Sequence, residues 1–240
     1  MDMSFAGRIR PVIDRVYVGA RAAGRDRVLA VYARHGLRPG FESSFYFGLL
    51  ARPMTAEAFA AATTYLGGDM SAELEQGIAV VDSAGTWRLT DRGRDIALGV
   101  QLAIGEAAAE RWTPGPPLDA MLPGPAALPR LVDLVGRLLE AGHATGGPAF
   151  TAMAPVSEPE GASAAVRLTS RLGALRHHRG DAHRAAWQGA GLTLEQLRAL
   201  PEGPQRRAVE AETDRRDEPL YQVLDDEERI ELLAGLGALP

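Results

Sequence analysis

Apolar residues recur at helical spacing along most of the chain, and short breaks rich in Gly, Pro and Ser cut that pattern into segments. Ile9, Val12, Ile13 and Val16 fall on one side of a first helix within residues 5–35. Val28, Leu29 and Tyr32 fall on one side of a second, which begins at Arg25 and is stopped by Gly36. A turn at Pro39-Gly40 leads into a short aromatic helix with Phe45, Tyr46 and Phe47 before Pro53. Three consecutive aromatics cannot share one helix face. Either all three belong to the core, or two do and the third, Tyr46, meets a cavity or a second subunit.

Thr55 is placed to cap the helix AEAFAAATTYL, Gly67-Gly68 makes a turn, and Asp69 or Ser71 caps AELEQGIAVV. Asp82–Thr90 reads as a two-stranded wing, and a long helix follows to Trp112. Helix, turn, helix, hairpin, helix is the order of a winged helix, and the L-T-x-x-G of Leu89–Gly93 resembles the strand-to-helix junction of MarR-type regulators. DNA binding needs cations that displace counterions from phosphates, and a recognition helix that brings polar side chains to base edges. No basic residue lies between Arg52 and Arg88, whereas Glu57, Asp69, Glu73, Glu75 and Asp82 do. Phosphate contacts would fall to Arg88, Arg92 and Arg94, on the wing and the next helix.

Thr113–Pro129 is rich in Pro and Gly and marks a linker or lid. The helix LVDLVGRLLEAGH follows, ending near Gly142 with His143 at its C-terminus. ATGGPAFTAMAPVSEPEGA reads as a second long loop, of the kind that covers a site. After the helix around Leu172–Leu192, Thr193 caps LEQLRAL, and PQRRAVEAETDRRDEP forms a charged helix laced with Glu–Arg pairs. A last helix, capped by Asp225 or Asp226, carries Ile230, Leu232, Leu233 and Leu236. The expected architecture is mainly α: N-terminal helices and a winged-helix unit over 1–112, a linker over 113–129, and a helical domain over 130–240.

Chemistry concentrates in LGALRHHRGDAHRAAWQGAGL, Leu172–Leu192, which holds three of the five histidines. At about 100° per residue, one buried stripe runs through Leu168, Leu172, Leu175, Ala182 and Ala186, and Arg179 falls inside it. His178 and His183 flank the stripe and Asp181 leans toward solvent. A guanidinium aimed at a core requires an anion, either a buried carboxylate such as Asp214 or Glu210, or a bound ligand. His177 and His178 lie four and three residues before Asp181, so its carboxylate can fix a tautomer and raise a histidine's basicity. His183 and Trp187 are four apart, an imidazole beside an aromatic wall. A metal site is disfavoured, because His178 and His183 diverge by about 140° on a continuous helix, unlike the i, i+4 pair of H-E-x-x-H.

The motif LRHHRGDAHRAAWQGAGL resembles the L-R-E-H-R-G-D-G-H-x-A-A-L-x-x-x-G-L signature of an actinobacterial family of helix-turn-helix, MarR-like proteins. Arg176, His178, Arg179, Gly180, Asp181, His183, Ala185 and Ala186 match; His177, Ala182 and Trp187 depart. Val209–Arg215 (VEAETDR) is similar to the family's E-A-x-T-D-R run, and GLRPGF with the aromatics after it to the family's N-terminal region. The family's winged segment lies between these two signatures, where Gly191–Val209 is too short to hold one. The resemblance implies a dimer built from terminal helices, and a setting in specialised metabolism. The apolar terminal segments, including LLAGLGAL, point the same way, toward a two-fold homodimer.

Composition narrows the chemistry. The chain has no cysteine, which excludes disulfides and thiolate chemistry, and no lysine, which excludes Schiff-base and P-loop lysine roles. It carries no run of 18 apolar residues and no signal-peptide pattern, so the expected location is the cytoplasm, away from membranes. A net charge of −5 offers nucleic acid no general attraction. Nucleophile elbow, phosphate loop and dinucleotide fingerprint are all missing from the sequence.

Two functions follow as expectations. In the first, the protein binds a small, anionic organic molecule and acts on it without a cofactor, by proton transfer, cyclisation or elimination. Arg179 holds the anion, His178 tuned by Asp181 moves protons, and His183, Trp187, His177 and Tyr46 line the pocket. In the second, the same pocket senses an effector in a dimeric MarR-like regulator that grips DNA through Arg88, Arg92 and Arg94.

Overall fold

One long helix, Ala164–Gly189 (α9), is the post against which the other elements are laid. The computed structural model describes residues 4–38, 46–66, 70–113 and 124–240, with backbone only at 46 and 124–126. Ser163 starts α9 by accepting the Val166 N–H. Five helices surround it: α1 (Phe5–Ala23), α6 (Asp91–Arg111), α7 (Gly124–Thr145), α8 (Pro148–Met153) and α11 (Pro204–Asp217). The single buried stripe expected from the sequence is therefore wrong for α9. Thr169, Ser170, Gly173, Ala174 and Asp181 are buried as well, because a helix with neighbours on several sides has no solvent face to spare.

Small residues permit this crowding. A Cβ at Gly105 on α6 would stand 2.3 Å from Val166 Cγ2 and 2.6 Å from Val166 Cα, so α6 and α9 meet almost backbone to backbone. Gly93 lies equally close to the Ile78 carbonyl, at 1.9 Å from an added Cβ.

α2 (Arg25–Arg34) packs on α6 and ends at Gly36, whose φ of 62° suits a residue without a side chain. α3 (Tyr46–Ala51) precedes Met54, which exchanges two backbone hydrogen bonds with Trp87 (3.0 and 2.7 Å). α4 (Ala56–Ala62) is capped by Thr55 as expected, and Trp87 stacks on Phe59 at 3.8 Å. α5 spans only Ser71–Glu75. The hairpin pairs β1 (Ala79–Val81) with β2 (Trp87–Leu89), so its first strand comes from AVV, read above as helix. Gly77, with φ 65°, stops the helix and releases those β-branched residues to the strand. Asp82 then closes the turn by accepting the Ala84 and Thr86 N–H groups. Phe47 is buried; Phe45, Asp69 and the side chain of Tyr46 lie outside the described residues.

Two expectations for the second half change. α7 begins at Gly124, inside the segment read as linker. The segment read as a long covering loop contains α8, whose Phe150 is fully buried, since Ala149, Phe150, Ala152 and Met153 form a short apolar face. Arg52 ties it to α3 by donating to the carbonyls of Thr151, Ala152 and Ala154. Arg171 and Arg167 hold Glu158, which pins the following loop to α9.

α10 (Leu194–Ala199) and α12 (Asp226–Ala238) both start with capping boxes, Thr193/Gln196 and Asp225/Glu228. Glu218, in the 3-10 segment Glu218–Val223, accepts the Phe5 and Ala6 N–H groups, and Arg15 donates to the last carbonyls of α12. Leu232, Leu236 and Leu239 are buried inside this chain together with Ile9, Ile13 and Val16. These three leucines are thus covered within the chain, whereas Leu233 is half-buried and Ile230 is 68 % exposed. One apolar core runs from Phe5 to Leu239 and crosses the 113–129 boundary. Among the described residues the chain is mainly helical with one two-stranded sheet, and no helix is long and apolar enough to cross a membrane.

The α6–α9 contact yields a measurable consequence. Gly105→Ala forces two backbones apart and should lower stability by about 1–3 kcal/mol. Thermal unfolding should shift down by several degrees, whereas Gly189→Ala, with nothing near its added Cβ, should leave the midpoint unchanged or raise it.

Candidate functional site

His178 and Asp181 face into the protein, away from the cavity described below. His178 is 2 % exposed. Its Nδ1 pairs with Asp217 Oδ1 at 2.7 Å and its Nε2 with the Thr145 hydroxyl at 2.9 Å, while the Phe150 ring stands edge-on at 5.4 Å. Both ring nitrogens are occupied. Asp181 does not lean toward solvent and bonds to neither histidine; its charge only offsets part of the burial that lowers His177. Its carboxylate accepts the N–H groups of Ala149 (3.2 Å) and Phe150 (2.8 Å), capping α8 from a neighbouring helix, and pairs with Arg184 at 3.2 Å. Both departures have one cause: α7, α8 and α11 bury this face of α9, where only satisfied polar groups are tolerated.

Arg179 has found its anions within the chain. It donates to Asp214 at 2.7 Å and Glu210 at 3.4 Å, and lies 3.6 Å from Asp217 Oδ2. Of the two readings left open above, pairing with Asp214 and Glu210 is the one present.

The opposite face of α9 borders a cavity of about 670 Å³ between α1, α2, α4, α6 and α9. Ile13, Val100, Ile104 and Leu175 make its deep wall, with the rings of Tyr17 and Tyr32. Its mouth exposes Val18, Leu29, Tyr65 and Leu66. His177 and His183 both line it.

Tyr65, just after α4, is held by both His183 and Trp187. Trp187 Nε1–H donates to the Tyr65 oxygen at 3.1 Å, and that oxygen lies 3.0 Å from His183 Nδ1. Burial pushes the Tyr65 phenol up, so it keeps its proton, and burial lowers His183, so the imidazole is neutral. The phenol has two acceptors in reach, the Gly180 carbonyl at 3.4 Å and His183 Nδ1 at 3.0 Å; donation to the nearer Nδ1 leaves Nε2–H turned toward Glu210 Oε1 at 3.8 Å. Glu210 in turn receives Arg10 at 2.6 Å. Carboxylate, imidazole and phenol thus stand in a line at the cavity edge. His177 is also lowered by burial, and its Nδ1 pairs with the Gly173 carbonyl at 3.0 Å.

Of the residues read from the sequence, His177, His183 and Arg179 reach the cavity, Trp187 supports it through Tyr65, and His178 and Asp181 do not reach it. Tyr65 and Arg10 were missed. They lie 118 and 200 positions from the groups they bind, and no periodicity links such distances. Among the described residues, no group of three or more His, Asp or Glu is placed to hold a metal ion.

The arginines proposed for DNA are engaged with the protein itself. Arg92 donates to the carbonyls of Gln76 and His35, Arg94 to that of Leu50, and Arg88 lies 3.9 Å from Asp82. On α5, Glu73 is buried and Glu75 pairs with Arg38 at 2.7 Å. Set against known protein families, curated proteins and solved structures, the chain matches none of them significantly.

Two outcomes follow. Asp217→Ala leaves His178 and Arg179 without their shared buried carboxylate and should cost about 3–5 kcal/mol in denaturant unfolding, with Asp217→Asn costing less. The second concerns pH. His177 and His183 titrate lower in the folded protein than the usual 6.5, so the unfolded chain binds more protons as pH falls below that value. Stability should be full above about pH 6.5 and decline toward pH 5, and His183→Asn should shrink that decline. A melting temperature that stays level from pH 7.5 to 5 would contradict the burial of these imidazoles.

Proposed function

We propose that the protein binds a small, mainly apolar organic molecule in this cavity and moves a proton on it through Tyr65 and His183. The observation that carries the reading is the neutral phenol–imidazole pair at the edge of a cavity of drug-like size, about 670 Å³. His183 Nδ1 is the proton acceptor. Tyr65, with its oxygen already receiving the Trp187 N–H, passes a proton between Nδ1 and a ligand oxygen or carbon acid. Glu210 stabilises the imidazolium as it forms, while Arg10 and Arg179 keep that carboxylate from making the histidine permanently cationic. Arg184, tied to Asp181 and the Ala61 carbonyl, fixes the wall that carries Tyr65. The reaction class is proton transfer, or a cyclisation or elimination that starts from one. The actinobacterial resemblance suggests specialised metabolism as the setting.

The scaffold reading is a winged helix of MarR-like kind. It is supported by the order α3, Met54 bridge, α4, α5, β1, β2, α6. The regulator reading finds less support, because Arg92 and Arg94 donate to this chain's own carbonyls, Arg88 stands near Asp82, and α5 is a five-residue acidic helix. Duplex DNA should not be retained even at low salt.

The test is a thermal-shift screen of apolar alcohols, aromatic acids and fatty acids, followed by deuterium exchange from D2O into any ligand found. Wild-type protein should bind and exchange. Tyr65→Phe and His183→Gln should still bind but lose exchange by about 100-fold or more. A folded wild type that binds nothing in the panel, or variants that exchange at the wild-type rate, would overturn the proposal.

A further inference from the structure

Six arginines line the cavity, and four are held by carboxylates of this chain. Arg10 pairs with Glu210, Arg176 with Asp14 at 2.7 Å, Arg179 with Asp214, and Arg184 with Asp181. Arg21 and Arg25 differ: among the described residues no ion pair joins either to a carboxylate. Arg21 is the more confined. The side chain is half-buried and its Nη1 is enclosed without a hydrogen-bond partner; Arg179 Nη1 and Arg184 Nε are enclosed likewise, but those guanidinium groups have carboxylates and Arg21 has only the Tyr17 ring, 5.9 Å away. A guanidinium nitrogen enclosed without an acceptor at a cavity wall is best matched by an anion.

Position along α1 sets the other end of the site. Arg21 is eleven residues from Arg10, roughly 16 Å at helical rise, and Arg10 shares Glu210 with His183. Ile13, Tyr17, Ile104 and Leu175 line the cavity along with these groups. We propose that the ligand is an elongated organic acid, its carboxylate held by Arg21 and its apolar body lying along α1 toward His183 and Tyr65. Arg21, not the already paired Arg179, selects for the negative charge. This inference rests on the cavity's being a small-molecule site.

Decanoate and decanol separate the two ideas, since they share an apolar body and differ in the head. Both are titrated by calorimetry at pH 7.5 into the full chain and into Arg21→Met, Arg21→Lys and Arg25→Met, each checked for wild-type circular dichroism. Wild type should prefer decanoate by about tenfold or more. Arg21→Met should erase that preference with decanol affinity unchanged, and Arg21→Lys should keep part of it. Equal binding of the two heads by wild type, a preference that survives Arg21→Met, or a loss confined to Arg25→Met overturns the anchor and leaves the cavity reading intact. Failure of both probes to bind wild type removes the cavity reading for chains of this type and the anchor with it.

Discussion

The buried carboxylate of Asp217 is the constraint on which the arrangement of α9 depends. At 1 % exposure it has no water to solvate it, and it is held between His178 Nδ1 and the Arg179 guanidinium. A charge in that position is tolerable only if its partners are fixed. His178 is fixed in turn by Thr145, and Arg179 by Asp214 and Glu210, so one anion locks α7, α9 and α11 in mutual register. Burial pushes the nearby Tyr221 phenol far up, which keeps a second negative charge away from the same carboxylate.

That register decides what α9 presents to the cavity. With His178 and Asp181 turned toward α7, α8 and α11, the other side of the helix offers His177, Gly180 and His183 to α1 and α4. The two sides do opposite things with similar residues. On one, the titratable groups are paired with one another, Asp217 Oδ2 and Arg179 Nη1 facing each other at 3.6 Å without a hydrogen bond. On the other, an imidazole stays neutral under desolvation, 3.0 Å from a phenol that burial keeps protonated. The proposed proton transfer would draw on that contrast, since packed neighbours hold Tyr65 and His183 in one geometry.

The cavity itself exists because the helices around it cannot close. α1 and α6 are held near α9 by small residues at Gly105 and Gly173, while Tyr17, Tyr32 and Arg176 prop the space open further along. Arg176 lies 4.8 Å from the Tyr17 ring and pairs with Asp14, which ties α9 to α1 along this side of the cavity. The mouth, by contrast, exposes Val18, Leu29 and Leu66 to solvent.

Much of the local structure was legible in the sequence. Apolar periodicity marked α1, α2, α6, α9 and α12, the caps Thr55, Thr193 and Asp225 mark helix starts, and Gly36 marks a stop, because each depends on residues within a turn of one another. Composition removed cysteine and lysine chemistry outright. Arg179's need for an anion was legible too, with Asp214 and Glu210 among its candidates. The sequence could not say which face of α9 would be enclosed. That depends on how many helices surround it, and the small residues that let them approach look the same as those of an exposed helix. It was for this reason that His178 and Asp181, adjacent in the motif to His177 and His183, ended in a different environment from them. Tyr65 and Arg21 came to line the cavity by the same route: a phenol from just after α4 and a cation from α1 meet there only through the neighbours that folding brings, at sequence separations no local pattern encodes.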